Sequence, residues 1–299
     1  MKKLLYAHLC MGVANIIFGI NVPVSKSILA NHLDGVSLSF LRMAFAAAAF
    51  WLLSLFVPRE KVRPRDMALL LVAGLFGVAV NQFLFVQGLS YTSPTDAVMV
   101  ITITPVLVMC LAAAVLREPI TGVKVVGVLL GAGGALMIIL HGGSASFGGE
   151  HMRGNLMCFF SSLSYAIYLI ISKPIMARYS ATTVMRWMFL FSAVAMLPIS
   201  LRHVQDVSWQ AIPMSGYAEI FFTLCGATFL TYLCIGYALR SLRPTTLSTY
   251  NYVQPLVASM AAVAMGLDSI GWYKLGAAAL IFAGVYLVTK SRARAKPYN

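Results

Sequence analysis

Charge is scarce in this chain. Only 10% of its 299 residues are charged, and nine acidic side chains stand against 22 Lys and Arg. A soluble domain usually carries about 25% charged residues. What charge there is falls in short clusters between long apolar stretches, so the formal net charge of +13 does not mark one basic face for nucleic acid. No nucleic-acid partner is expected. Signatures of chemistry are missing as well. The five cysteines, Cys10, Cys110, Cys158, Cys225 and Cys234, form no CxxC pair and are not interleaved with His at metal spacing, which excludes a disulfide framework or zinc site of the usual kind. No HExxH, P-loop, paired intramembrane aspartates or Ser/His arrangement occurs. No metal, no cofactor and no use of ATP are therefore expected, and the chain does not read as an enzyme. A membrane-embedded enzyme acting on lipid or peptide stays as a competing class without its signature. A passive channel does too, since neither a ring of like charges nor a repeated filter sequence is found.

Apolar sequence is what the chain has in abundance: 60% of residues are hydrophobic. A crossing helix needs about 20 largely apolar residues to span about 30 Å of hydrocarbon. Ten segments meet that standard, at about 5–29, 36–57, 67–89, 95–116, 121–140, 155–177, 182–201, 215–239, 245–266 and 271–289. The opening Met1-Lys2-Lys3 leads into an apolar run without a small-x-small cleavage site, and Leu9 rather than a small residue precedes Cys10. The run reads as a retained first span.

Counting basic residues by alternate loops orients the chain. One side receives Lys2, Lys3, Arg59, Lys61, Arg63, Arg65, Arg117, Lys124, Lys173, Arg178, Arg186, Arg240, Arg243, Lys290, Arg292, Arg294 and Lys296, and the other only Arg153, Arg202 and Lys274. Such asymmetry places both termini in the cytoplasm.

An internal repeat is the most informative pattern. Gly88-Leu89-Ser90-Tyr91-Thr92-Ser93-Pro94-Thr95 matches Ala238-Leu239-Arg240-Ser241-Leu242-Arg243-Pro244-Thr245 at an offset of 150, which also takes Pro105 to Pro255, Glu118 to Asp268, Lys124 to Lys274 and Gly134 to Gly284. Ser25-Lys26 corresponds to Ser172-Lys173, and Arg42 to Arg186, at slightly smaller offsets. Five spans per copy is an odd number, so the second copy must insert upside down. The expected fold is an all-α membrane protein of ten transmembrane helices in two inverted repeats. Residues 1–140 form the first, 141–154 the connecting loop, 155–289 the second, and 290–299 a basic cytoplasmic tail. Inverted repeats are a transporter architecture with the substrate site between the copies.

Several motifs together resemble the drug/metabolite transporter superfamily, specifically its EamA-type members. They are Phe18-Gly19-Ile20-Asn21, Phe40-Leu41-Arg42, Gly88-Leu89 followed by Pro94 and Asp96, Thr104-Pro105, Arg117-Glu118 with Gly127, Gly131 and Gly134, Gly154 with Ser164-Tyr165-Ala166, and Gln254-Pro255. The chain departs from the family at Phe18, where a Trp is usual, and at Leu116-Arg117, where a small residue usually precedes the acid. The resemblance implies a ten-helix plasma-membrane exporter of small metabolites, amino acids or drugs. It names no substrate.

Polar residues inside spans normally face a neighbour or a water-filled path. In the sixth span Ser161, Ser164, Tyr165, Tyr168 and Ser172 share one face, which serves either solute contact or interhelical hydrogen bonding. The ninth span carries Tyr250, Asn251 and Gln254 before Pro255, and Thr102 precedes Pro105 in the fourth. Proline frees the carbonyl four residues back, so both places suit either a ligand or a packing kink. Asn15, Asn21, Asn81, Gln82 and Tyr232 complete the substrate-binding candidates, Tyr232 standing 150 residues after Gln82. Glu219, one turn inside the eighth span, is the candidate proton carrier. Asp96 fits a helix N-terminal acid. Lys26 and Arg42 have the charge to attract an anionic group at the outer mouth, but the expected role is to snorkel or to fix the loop. Pro23, Pro105 and Pro255 are candidate hinges. Gly127, Gly131, Gly134, Gly276 and Gly284 are packing residues that make the fifth and tenth spans scaffold or homodimer helices.

Overall fold

The computed structural model describes residues 2–141, 149–264 and 272–291. Asp268 lies outside them, as do part of the expected connection at 141–154, the end of the ninth segment, and most of the basic tail. Among the described residues the chain is helical, with no strand.

Helix α1 (Lys2–Asn31) turns into α2 (Gly35–Leu53) at Asp34, whose carboxylate accepts the Ser37 N–H at 2.6 Å and caps the helix. Helices α3 (Pro64–Gly74) and α4 (Asn81–Tyr91) run into one another through a wide π-helical turn at Leu75–Val80. A break at Thr102 and Ile103 separates α5 (Pro94–Ile101) from α6 (Thr104–Leu116), and α7 (Gly122–His141) follows. Helix α8 (Gly149–Met176) and α9 (Ala181–Gln205) come next. A second π-helical turn at Phe222–Leu230 joins α10 (Met214–Phe221) to α11 (Thr231–Ser241). Helix α12 (Pro244–Thr249) passes through a 3-10 turn at Tyr250–Tyr252 into α13 (Val253–Ala264), and α14 (Trp272–Lys290) ends the described chain.

Among the described residues seven stretches are long and apolar enough to cross a membrane: Lys2–Asn31, Gly35–Leu53, Pro64–Tyr91, Asp96–Leu116, His151–Met176, Ala181–Gln205 and Met214–Ser241. Gly122–Gly134 and Leu275–Lys290 are shorter apolar helices. Large apolar side chains such as Phe56, Leu129, Phe221 and Phe282 stay on the outside. So extensive an apolar surface would be a liability in water and costs nothing in lipid. The chain is a multi-pass helical membrane protein.

Three local features differ from the sequence reading. The stretch Gly149–Gly154, expected in the connection, belongs to the first turns of α8. At Gly154 α8 crosses the end of α4 so closely that a Cβ would lie 2.8 Å from Gly88 O. The ninth segment, expected as one helix, is interrupted at Tyr250–Tyr252. The prolines fall within the first turn of the restarted helices α6 and α13. A missing N–H is harmless in that turn, so Pro105 and Pro255 restart helices rather than bend continuous ones.

The largest core cluster joins α2, α9 and α11 through aromatic rings. Phe50 lies 5.5 Å from Phe189 and 4.7 Å from Phe229, and Phe189 meets Tyr232 edge-on at 5.0 Å. Helix α4 packs on α8, α1 on α11, and α7 on α14. The α7–α14 seam is built from glycine. A Cβ on Gly127 would lie 2.9 Å from Gly284 O, and one on Gly134 2.7 Å from Ala277 O. These glycines meet the facing helix within one chain. Gly276 is the exception, with Met137 Sδ at 4.0 Å as its nearest neighbour.

Lys26 and Lys173 hold matching positions. Lys26 Nζ donates to Leu89 O at 2.8 Å and Thr92 O at 2.9 Å, with Ser90 O at 3.3 Å. Lys173 Nζ donates to Leu239 O and Leu242 O, both at 2.7 Å. Each cation closes the orphan carbonyls at a helix C-terminus, α4 in one case and α11 in the other. Lys26 thus fixes a loop, as expected.

Candidate functional site

A cavity of about 90 Å³ opens between α1, α2, α4, α8 and α11 and the two helix breaks. Asn21 from α1, Asn81 and Gln82 from α4, and Tyr165 from α8 line it. Tyr232 from α11, with Asn251 and Gln254 from the second break, complete the polar wall. These seven are among the residues singled out in the sequence. Phe18, Val22, Phe85 and Ile101 supply the apolar wall.

The wide turns explain why polar groups gather here. A π-turn lifts carbonyls out of regular register, and at membrane depth each must find a donor. Around the first turn, Ser192 Oγ donates to Gly74 O at 2.9 Å and Ser164 Oγ to Phe76 O at 2.7 Å. Tyr232 OH reaches Gly77 O at 2.9 Å, and Ser161 Oγ reaches Asn81 O at 2.8 Å. Asn81 Nδ2 returns a bond to Ser161 O at 2.9 Å. The hydroxyls of Ser161 and Ser164 are therefore committed to interhelical bonding, one of the two roles open to them. At the second turn Thr231 Oγ1 donates to Ala227 O at 2.8 Å, Thr228 Oγ1 to Thr223 O at 2.8 Å, and Thr223 Oγ1 to Asn21 Oδ1 at 3.0 Å.

Four candidates do not line the cavity. Asn15 stands behind the wall, accepting from Gln254 Nε2 at 2.9 Å and donating to Met11 O at 2.9 Å. Thr102 caps its own turn by donating to Met99 O at 2.6 Å. Tyr168 is fully buried against the space a side chain on Gly77 would need. Tyr250 bonds His8 Nδ1 at 2.8 Å through its hydroxyl. Glu219 is also apart from the cavity. Its Oε1 accepts from Ser27 Oγ at 3.1 Å, while its buried Oε2 has no protein partner.

Arg42 is the principal correction. Expected to snorkel or fix a loop, it is 3% exposed and borders the cavity. Its Nε donates to Thr228 Oγ1 at 2.9 Å and its Nη2 to Ala227 O at 3.4 Å, both in the second π-turn. Nη1 has no hydrogen-bond partner among the described residues. A signal was present in the sequence. Arg42 follows the cap at Asp34 by eight residues, about 12 Å along the helix, which is too deep for an interfacial loop contact. Ser162, also a lining residue, carried no distinguishing signal, and Thr104, which lines the cavity too, was marked only as part of the Thr104-Pro105 motif. Asp96 sits in the first turn of α5, its N–H bonded to Ser93 Oγ at 3.0 Å, as expected of an N-terminal acid. Glu118 is occupied by Lys124 and Thr245, each at 2.8 Å. Among the described residues no group of three His, Cys, Asp or Glu is placed to hold a metal.

Known proteins agree with this architecture. An uncharacterized transporter, YyaM, of Bacillus subtilis is 24% identical over 86% of this chain and 85% of its own length. An uncharacterized transporter of Archaeoglobus fulgidus is 24% identical over 87% of this chain and 90% of its own. A probable terminal-alkyne amino-acid exporter of Streptantibioticus cattleyicolor is 26% identical, covering 86% of this chain and 84% of its own length. A protein of known crystal structure superposes with a TM-score of 0.76 over 96% of this chain and 98% of its own, at 18% identity, which bears on the fold alone. The EamA-like transporter family matches residues 5–140 and again 152–290. The chain belongs to the EamA-like transporter family.

Proposed function

We propose that this protein is a secondary active or facilitative carrier that exports small organic metabolites, amino acids or related compounds, across the plasma membrane by alternating access. One observation carries the reading. A partly polar cavity sits between elements of both halves of the chain and is bordered by both helix breaks and by helices that join the two π-turns. Irregular backbone in a membrane protein is tolerated where it lines such a cavity. The named exporter among the relatives fits the direction and the solute class. The carrier has ten crossings, the seven long stretches together with α7, the interrupted α12–α13 and α14, and both termini are cytoplasmic.

Inverted symmetry between the halves is supported by packing. Exchanging α1 for α8 and α4 for α11 turns the α1–α11 contact into the α8–α4 contact, while α2–α9 and α7–α14 map onto themselves. The contacts of Lys26 and Lys173 map likewise. Asn21, Asn81, Gln82, Tyr165, Tyr232, Asn251 and Gln254 contact the solute, and Asn15 supports Gln254 from behind. Rocking of one half against the other uses Pro23 and the breaks at Pro105 and Pro255. Glu219, half-buried beside Ser27, is the group placed to carry a proton. Reconstituted protein should move at least one member of a broad metabolite panel with saturable kinetics stimulated by solute on the opposite side. Linear, non-saturating flux would make it a pore, and no flux of any solute would defeat the reading.

A further inference from the structure

We propose that the solute is an organic anion held by a single carboxylate, and that Arg42 with Gln82 forms the anion-binding end of the cavity. The inference deepens the carrier reading above and rests on it. Arg42 is 3% exposed and Gln82 is 2% exposed, and both border the cavity. Among the described residues, three of their buried polar atoms meet no partner within hydrogen-bond geometry, Arg42 Nη1 and Gln82 Nε2 and Oε1, and the Tyr232 side chain lies beside the Gln82 amide. Leaving buried polar groups unmet is costly, and leaving a buried cation without a counter-charge costs more.

No counter-charge comes from the described residues. Among the described residues the ion pairs are Lys124–Glu118, Arg178–Asp66 and His203–Asp34, none of which includes Arg42. No Asp or Glu among the described residues borders the cavity. The neutral oxygens of Thr228 and Ala227 fix one edge of the guanidinium and leave the other for an arriving anion. An arginine so fixed matches a carboxylate in shape as well as charge.

Charge and size narrow the class. One cation with no acidic neighbour balances one negative charge. A phosphate monoester, which approaches two negative charges at neutral pH, would bring an excess. A cavity of about 90 Å³ holds on the order of six to nine water-sized groups, taking about 10–15 Å³ for each. That suits a short carboxylic acid with a compact apolar tail against Phe18, Val22 and Phe85. An added amino group would have to rest on neutral acceptors such as Gln82 Oε1, so the carboxylate is the required element and the ammonium an optional one.

The test uses full-length protein in proteoliposomes and matched trios of solutes, each trio sharing one branched or aromatic tail and differing only in a carboxylate, a primary amide or an amine. The expected result is at least tenfold faster saturable flux for the carboxylate in some trios, and a rise in thermal stability of the detergent-solubilised protein with those carboxylates alone. Arg42→Gln should remove at least tenfold of the carboxylate flux and with it the preference for the carboxylate over the amide of the same trio. Because Arg42 also supports the second π-turn, Gln82→Glu provides a second variant. It adds a negative charge to the same wall and should lower carboxylate affinity at least tenfold in protein that stays folded. Flux of amides or amines equal to that of carboxylates in every trio overturns the proposal and leaves the carrier reading standing. Unchanged carboxylate flux in folded Gln82→Glu overturns it as well. Absence of flux for every solute defeats the carrier reading itself.

Discussion

Substituting Gly284 by Ala would test the packing of the α7–α14 seam most directly. The new Cβ would lie 2.5 Å from Gly127 O, 2.7 Å from Gly131 N and 3.0 Å from Gly131 Cα. All three neighbours are backbone atoms of the facing helix, so no side chain can swing away to make room. An ordinary carbon contact begins near 3.4 Å, so the helices must separate by roughly 1 Å where they touch. That separation would also loosen the Gly127 and Gly134 contacts along the same seam. Overpacking of this kind costs about 1–3 kcal/mol, opposed by a gain of about 1 kcal/mol because Ala is the better helix former. Gly276→Ala is the internal control, since it lies in the same helix with open space around it and should keep the propensity gain alone. Thermal unfolding in one detergent, followed by loss of monodisperse protein, compares the two. Gly284→Ala should melt below the parent and Gly276→Ala at or above it. If Gly284→Ala proved as stable as Gly276→Ala, the seam would not be close-packed as described.

The two anchoring lysines should behave alike. Lys26→Met and Lys173→Met each leave at least two helix-terminal carbonyls without their donor, and each should cost about 1–3 kcal/mol. Lys→Met variants that melt with the parent would show that water replaces the ammonium freely. Glu60 gives a pH-dependent case outside the membrane spans. Burial would raise its carboxyl pKa, but the hydrogen bonds from Thr183 and from the Ser180 N–H and hydroxyl outweigh that effect and hold it below the ordinary glutamate value. A depressed folded-state pKa stabilises above the unfolded value and loses that contribution as pH falls through the folded one. Glu60→Gln should therefore melt earlier than the parent at neutral pH, and the gap should close on acidification through and below the usual glutamate range. A gap that stayed constant would mean the charge is not what holds Glu60 to Ser180.

Much of the architecture was legible before folding because the bilayer imposes a length. Apolar runs of about 20 residues mark the helices, and the seven long stretches fall on segments identified from sequence. The offset of 150 residues recurs in local detail. The elements Asn81–Tyr91 and Thr231–Ser241 begin and end at that offset, each preceded by a π-turn. The turns themselves were not legible, since a wide turn changes neither hydropathy nor periodicity enough to be read. The seam glycines were readable as packing residues, but only the structure showed that their partner helix lies in the same chain.

For the site, the sequence marked polar side chains within spans and could not assign their neighbours. A polar side chain within a span escapes lipid equally well by lining a cavity or by bonding another helix, and helical periodicity fixes its face without saying what that face meets. Seven candidates line the cavity. Thr102 instead closes a turn, Tyr168 fills the space left by Gly77, Tyr250 pairs with His8, and Asn15 braces Gln254. Arg42 shows the same limit from the other side. Its charge and depth were written in the chain, but the threonine and carbonyl that hold it come from a turn 185 residues away. Only the close approach of α2 to that turn made a buried cation there sustainable.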